Sequence, residues 1–150
     1  MPNEIRIKPI ASAAFTCTLA SLAAAGARQT TLLTNSNNYQ GALVNVRIKS
    51  ANAPVAGTVY EVYLLRSDGT VMDDGAGASD AAITILNAPL LGTIVVTAAT
   101  ASFYGVFDTA PLGPLGTSWG IAIKNGTSQT ISATEGDHAA RYTYYVPEVQ

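Results

Sequence analysis

The chain offers few side chains that could do chemistry, and its single histidine is the first of them. In a serine-nucleophile triad, His138 would act as the base, with Asp137 or Asp108 orienting it toward a serine. The 150 residues contain no G-x-S-x-G elbow to present such a serine. Since His138 ends the turn sequence EGDH, we expect it to make a turn or capping hydrogen bond. We expect no catalytic activity.

A loop rich in glycine and aspartate, DDGAGASD, brings Asp73, Asp74 and Asp80 close together in sequence. Clustered carboxylate oxygens are the ligands that calcium prefers. The loop lacks the final glutamate of an EF-hand, and glycine and aspartate are also common in ordinary loops. The sequence therefore leaves cation binding at this loop open, and no metal or cofactor site is predicted.

Cys17 is the only cysteine of the chain. One cysteine excludes an intramolecular disulfide and a cysteine-based zinc site. A domain of this length can bury enough apolar surface to fold without either. The single thiol also fits a protein that is assembled in a reducing compartment.

Aromatic side chains are the remaining candidates for binding. In the sequence YTYY, Tyr142 and Tyr144 share one face of a strand and Tyr145 lies on the other. At least one of these tyrosines should therefore be exposed or contact a partner, since tyrosine is enriched at interfaces. A sugar-binding face is a second interpretation, although aromatic residues in strands more often belong to the core.

Asn125-Gly126-Thr127 matches a glycosylation sequon and also carries a typical hairpin signal. We favour the structural interpretation, in which SWGIAIKNGTSQTISAT forms a hairpin that turns at Asn125-Gly126. Trp119, Ile121 and Ile123 would then point inward from its first strand.

Charged residues make up only 12% of the chain, whereas an average globular domain has about 25%. Small uncharged polar residues replace them, and such a surface costs little free energy to desolvate against a partner. This composition favours a protein that assembles with others, and a low-charge secreted domain is the alternative. A net charge of −2 without a basic stripe argues against a nucleic-acid partner, and no apolar run is long enough to span a bilayer.

Short strands between turn signals follow from Arg28 onward. ALVNVRIKS is the clearest, because Val44, Val46 and Ile48 share one face and polar residues share the other. GTVYEVYLLRSDG is apolar on both faces, which indicates a central strand or an interface. About eight or nine strands with turns every 8–12 residues indicate an all-β fold. We predict an antiparallel β-sandwich, jelly-roll-like and of about eight strands, with an immunoglobulin-like sandwich as the alternative.

The N-terminal segment allows three interpretations: a signal peptide, a short helix around Phe15–Ala25, or an extended arm. Alternation of apolar and polar residues in EIRIKPI and AFTCTLASL is typical of extended chain. We therefore predict an N-terminal arm over residues 1–27, retained in the mature protein, and a β-sandwich domain over residues 28–150. The residues predicted to contact a partner are Ile5, Ile7, Phe15, Leu19, Tyr142, Tyr144 and Tyr145.

Several stretches resemble a family of head decoration, or cement, proteins of tailed bacteriophages. They are FTCTLASLAAAGARQTT with the asparagine-rich turn after it, ALVNVRIKS, VYLLRSDG and LGPLGTSWGIAIKNGTSQTISATEGDHAARY. The resemblance runs from about Phe15 to Tyr145 and does not include MPNEIRIKPI. It carries no catalytic signature.

The resemblance implies a β-sandwich on the outer surface of the virion, assembled in the host cytoplasm. Its partners would be the major capsid protein and further copies of itself, often as homotrimers. It would stabilise contacts between capsid subunits. Alternatives are another phage structural component, such as a head-fibre base, a neck protein or a tail protein, and a carbohydrate-binding module.

Overall fold

The computed structural model describes the backbone of residues 5–149 and the side chains of residues 7–147. Within this range the chain forms eleven strands, and its only helices are two single 3₁₀ turns, Ala110–Leu112 and Glu135–Asp137. The strands are β1 (Ile5–Pro9), β2 (Ala13–Ala14), β3 (Ala27–Gln29), β4 (Leu33–Thr34), β5 (Gly41–Lys49), β6 (Val59–Ser67), β7 (Ala81–Ile83), β8 (Leu90–Val95), β9 (Ser102–Asp108), β10 (Ser118–Asn125) and β11 (Ala139–Val149).

The strands form two antiparallel sheets that pack face to face. The first sheet has the order β1-β11-β5-β9, and β2 also pairs with β11. The second sheet has the order β7-β3-β10-β6-β8, and β4 also pairs with β10. Two strand positions are thus interrupted, because β1 and β2 follow each other along β11, and β3 and β4 along β10.

The connectivity is that of a jelly roll. When β1 with β2 and β3 with β4 are each counted as one strand and the short β7 is left aside, eight strands remain. Their orders in the two sheets are 1-8-3-6 and 2-7-4-5, which is the arrangement of two Greek keys in a jelly roll. The predicted all-β, antiparallel, jelly-roll-like sandwich is confirmed.

Alternation along the central strands builds the main core between the sheets. Val44, Val46 and Ile48 of β5 are buried, while the polar residues between them are half-exposed, as predicted. The facing residues of the second sheet are fully buried: Tyr60, Val62, Leu64, Trp119, Ile121 and Ile123.

A smaller apolar cluster lies on the opposite face of the second sheet. Leu65 of β6 and Ala122 of β10 are fully buried there and pack with Ala88, from the long connection between β6 and β8. This connection covers part of the face that would otherwise meet solvent. It explains why the sequence of β6 is apolar on both faces.

The predicted N-terminal arm is extended, but it is built into the sandwich. Phe15 and Leu19 are buried in the main core, with Cys17 packed against it. The Phe15 N–H donates to the carbonyl of Ala140, which ties this segment to β11. The apolar residues of this alternation therefore pack into the core of the same chain and not against a partner. Phe15 and Leu19 must be removed from the set of predicted partner contacts.

The predicted hairpin at Asn125-Gly126 is wrong. After Asn125 the chain leaves β10 and crosses to the first sheet, where Ile131 pairs with Ser50 and β11 then begins. Asn125 is fully buried, and its side chain holds the crossing together. Its amide group donates to the carbonyls of Leu22 and Gln129 at 3.1 and 2.8 Å.

Candidate functional site

Asp80 links the N-terminal segment to β3. Its carboxylate accepts hydrogen bonds from the backbone N–H and the hydroxyl of Thr18, at 2.9 and 2.7 Å, and forms an ion pair with Arg28. Partial burial would raise the pKa of Asp80, but the bonds from Arg28 and Thr18 outweigh it and lower the pKa below its ordinary value. The ionised Asp80 carboxylate thus holds the N-terminal segment against β3.

Asp74 closes a different loop. One oxygen accepts hydrogen bonds from three consecutive backbone N–H groups, those of Leu86, Asn87 and Ala88. Desolvation opposes ionisation, yet these three donors hold the pKa of Asp74 below its ordinary value. Asp73 points elsewhere and pairs with Arg66 at 2.9 Å.

The three aspartates of DDGAGASD therefore diverge. Each carboxylate is already engaged by donors of the same chain, and each by a different set. Residues 5–149 contain no group of three or more His, Cys, Asp or Glu side chains placed to hold a metal ion. The loop thus has a structural role, because its aspartates hold in place β7 and the connection that covers the second sheet.

His138 is buried, and backbone groups occupy both of its ring nitrogens. The Lys49 N–H lies 3.4 Å from Nδ1, and Nε2 lies 3.0 Å from the carbonyl oxygen of Ser132. Since a carbonyl can only accept, these contacts fit the tautomer that carries a proton on Nε2 and accepts from the Lys49 N–H at Nδ1. Asp137 instead binds the Ser132 hydroxyl and Lys49. The expected turn contact is confirmed, and the geometry is not that of a catalytic triad.

A shallow cleft of about 270 Å³ lies beside His138, between the N-terminal segment and β11. Cys17 faces it, and desolvation raises the pKa of this thiol to about 12, so it is protonated at neutral pH. The Glu135 carboxylate on its rim accepts from the N–H groups of Leu19 and Ala20, at 3.1 and 2.7 Å. The Glu135 carboxylate of the cleft is thus already engaged by backbone donors of the same chain.

The tyrosines of β11 divide between its two faces as predicted. Tyr142 and Tyr144 face the core, where their rings lie 5.1 Å apart and pack against Trp119. The Trp119 indole N–H donates to the Tyr144 hydroxyl at 2.8 Å. Tyr145 lies on the opposite face and donates to Asp108. Burial and this carboxylate raise the pKa of Tyr145 to about 12.

The alternative interpretation, a sugar-binding face made of exposed rings, is not supported by the placement of the aromatic residues. Tyr60 and Trp119 are fully buried, and Tyr142 and Tyr144 are half-buried. Among the described aromatic residues, Tyr104 alone is strongly exposed, at 69%. A single ring on a strand is not the platform that the sequence suggested.

Both ends of the chain meet in a two-stranded ribbon, which we call the terminal ribbon. It consists of β1 paired with residues 145–149 of β11. β5 begins at Gly41, opposite Tyr145, so the pairing of β11 with β5 stops where the ribbon begins. Ile7 is 69% exposed there, opposite Pro147. Ile5 pairs with Val149 through its backbone, and its side chain lies outside the described residues.

The outer face of the first sheet carries exposed apolar residues that were not predicted as contacts. Leu43 of β5 is 39% exposed, and Val106 of β9 is 66% exposed. Val106 lies beside Tyr104, because Asn45 and Arg47 of β5 pair with Val106 and Tyr104, whereas Leu43 pairs with Asp108. The signal in the sequence is that ASFYGVFD is apolar on both faces, as GTVYEVYLLRSDG is.

No protein-family model matches this chain, and a search of curated proteins returns no significant match. The described residues include no helix with the length and hydropathy that a membrane span requires. The function of this chain is therefore inferred from its fold and from the character of its exposed surface.

Proposed function

We propose that this protein is a virion structural protein, a capsid decoration protein that binds the outside of a phage head. In this role it stabilises contacts between subunits of the major capsid protein and assembles as a homo-oligomer, with a trimer as the expected state. Support comes from the resemblance of its motifs, its low charge and its jelly-roll sandwich, in which Asp73, Asp74 and Asp80 are engaged by donors of the same chain.

The terminal ribbon is the observation that carries the proposal. A two-stranded ribbon with no third strand is marginally stable in water. Its exposed Ile7 gains from burial against a partner. Contacts of this size are weak singly, but many copies on a symmetric shell bind with high avidity. Ile7 keeps its predicted place as a partner contact in this proposal.

The proposal is tested by mixing the purified protein with expanded, undecorated heads and imaging them by cryo-electron microscopy. We expect stoichiometric density on the outer surface. Ile7→Lys should bind less, because a charge replaces the apolar contact, while its unfolding transition stays unchanged. Val71→Lys is the matched control, since Val71 is 68% exposed and lies in the connection between β6 and β7. The proposal fails if wild-type protein leaves heads bare, or if both variants bind equally well.

The same specimens distinguish the nearest alternative. Density confined to the neck, the tail or a fibre base would assign the protein to another structural part of the phage. The symmetry of the bound density measures the oligomeric state on the head, for which the expectation is a trimer.

A further inference from the structure

The two sheets of the sandwich have four outer edges, and three of them carry features that discourage pairing with another chain. β7 is only three residues long. β1 presents Lys8 and Pro9, and β8 follows Pro89 and pairs with β6 through a register shift at Val62/Tyr63. Short strands, lysine, proline and bulges are the devices by which natural sheets protect their edges.

β9 forms the fourth edge and has none of these devices. Its seven residues pair with Leu43–Lys49 of β5 in an unbroken register, and they include no lysine, arginine or proline. Along residues 5–149, no further strand pairs with its other side. Tyr104 and Val106 expose about two thirds of their surface beside this edge, at 69% and 66%. A free edge of seven residues in unbroken register, with none of these devices, is a template for another strand.

We propose that β9 pairs antiparallel with β9 of a second copy of this chain, about a two-fold axis at Gly105. The resulting sheet would run β5-β9-β9-β5 across the two copies. This contact goes beyond the proposed function, because it assigns the edge through which two copies of the free protein join in the absence of any capsid.

The sequence of β9 is complementary to itself in one register. Pairing about Gly105 is the only register that uses all seven residues, with Ser102 opposite Asp108, Phe103 opposite Phe107 and Tyr104 opposite Val106. Asp108 is the only charged residue of the strand, and it meets a serine rather than its own copy. Apolar residues meet apolar residues on both faces, which is the favourable pattern for cross-strand pairs.

Other registers are worse for identifiable reasons. A shift of two residues leaves part of each strand unpaired and places Tyr104 or Val106 opposite its own copy. A shift of one residue places the exposed face of one strand on the core side of the other, because side chains alternate. The two-fold contact also consumes the free edge of both copies, so the assembly closes as a dimer and does not extend into a fibre.

The glycine at the centre of β9 is required by packing within the same chain. A Cβ atom at Gly105 would overlap the ring of Phe107 and the side chain of Ile94. The Phe107 ring therefore lies back across the sandwich, over Gly92 of β8. The core is sealed behind the edge by residues of the same chain, so a partner strand is not needed to complete it.

The first experiment measures the mass of the full chain in solution by light scattering, without capsids, up to millimolar concentration. We expect a two-fold increase in mass over the protomer, and Val106→Lys should remove it while leaving the circular dichroism spectrum and the unfolding transition intact. Val71→Lys, equally exposed but far along the chain from β9, should keep the dimer. A wild-type protein that lacks a two-fold step, or a Val106→Lys variant that keeps it, overturns the proposal.

The second experiment tests the register. Tyr104→Cys and Val106→Cys chains are mixed and oxidised, which the half-buried thiol of Cys17, protonated at neutral pH, should not disturb. Residues directly opposite each other satisfy the distance that a disulfide requires, and diagonal neighbours at about 7–8 Å do not. Cross-links between the two variants should therefore exceed those within either one. Predominant 104–104 or 106–106 cross-links would overturn the two-fold pairing at Gly105. Neither result bears on capsid binding, so the two proposals can fail separately.

Discussion

At the scale of single residues, the acidic side chains of this protein act as ties between segments that are distant in sequence. Asp74 engages backbone N–H groups 12 to 14 residues ahead of it, and Glu135 engages those of Leu19 and Ala20. A carboxylate that accepts several backbone donors makes charge-assisted bonds, which are stronger than bonds between neutral groups. A chain with few charged residues thus uses several of them internally.

Asp74→Ala should lower the free energy of unfolding by about 2–3 kcal/mol, because it leaves three backbone N–H groups without their acceptor. Urea denaturation at neutral pH measures this loss. Asp73→Asn is the control, since the Asp73–Arg66 pair is partly exposed and should be worth less than about 1 kcal/mol. Equal losses in the two variants would contradict the assigned role of Asp74.

The same carboxylate predicts a dependence of stability on pH. The pKa of Asp74 lies below its ordinary 3.8 in the folded state, so the folded chain binds a proton less readily than the unfolded chain. Its contribution is complete above pH 3.8 and is lost as the pH falls through the lowered value. Asp74→Asn should therefore lose less stability than the wild type on acidification, and parallel profiles would contradict this.

At the scale of elements, β8 and β9 approach each other closely where the sandwich ends. A Cβ atom on Gly92 of β8 would overlap the ring of Phe107 from β9. Gly92→Ala should therefore cost about 1–3 kcal/mol, the usual range for overpacking, and Phe107→Leu in the same chain should recover part of it. Gly136→Ala is the control, because a Cβ atom there meets nothing within 4 Å. Thermal unfolding of the four proteins tests this, and an unchanged Gly92→Ala would refute the contact.

The central strands could be predicted because their faces differ in polarity. In β5 the burial of Val44, Val46 and Ile48 follows from alternation alone, and in β6 apolar residues on both faces correctly indicated cover on each side. The failure at Asn125-Gly126 has a physical reason: a turn dipeptide reports local preference, whereas the core decides which sheet the next strand joins. The ties made by Asp74 and Asp80 could not be predicted either, since backbone N–H groups carry no signal in the sequence.

At the scale of the whole molecule, two parts of the N-terminal segment join the first sheet, and they contribute to it differently. Phe15 and Leu19 supply core side chains, whereas the backbone of Ile5–Pro9 pairs with the end of β11. The predicted arm of residues 1–27 thus contains a part that folds the sandwich and a part that adds an exposed ribbon. A deletion that ends before the junction between them should therefore weaken partner binding but not folding, whereas a deletion that extends beyond it should unfold the protein.

Removing residues 1–12 should leave a cooperatively folded sandwich that binds heads weakly, because the terminal ribbon is lost while Phe15 and Leu19 remain. Removing residues 1–20 should abolish cooperative folding. Loss of a buried phenylalanine and a buried leucine costs about 5–10 kcal/mol together, which is comparable to the whole stability of a domain. Urea denaturation followed by circular dichroism compares the two deletions. If the shorter deletion also unfolds the protein, the ribbon belongs to the folding unit, and the assignment of β1 to partner binding loses its basis.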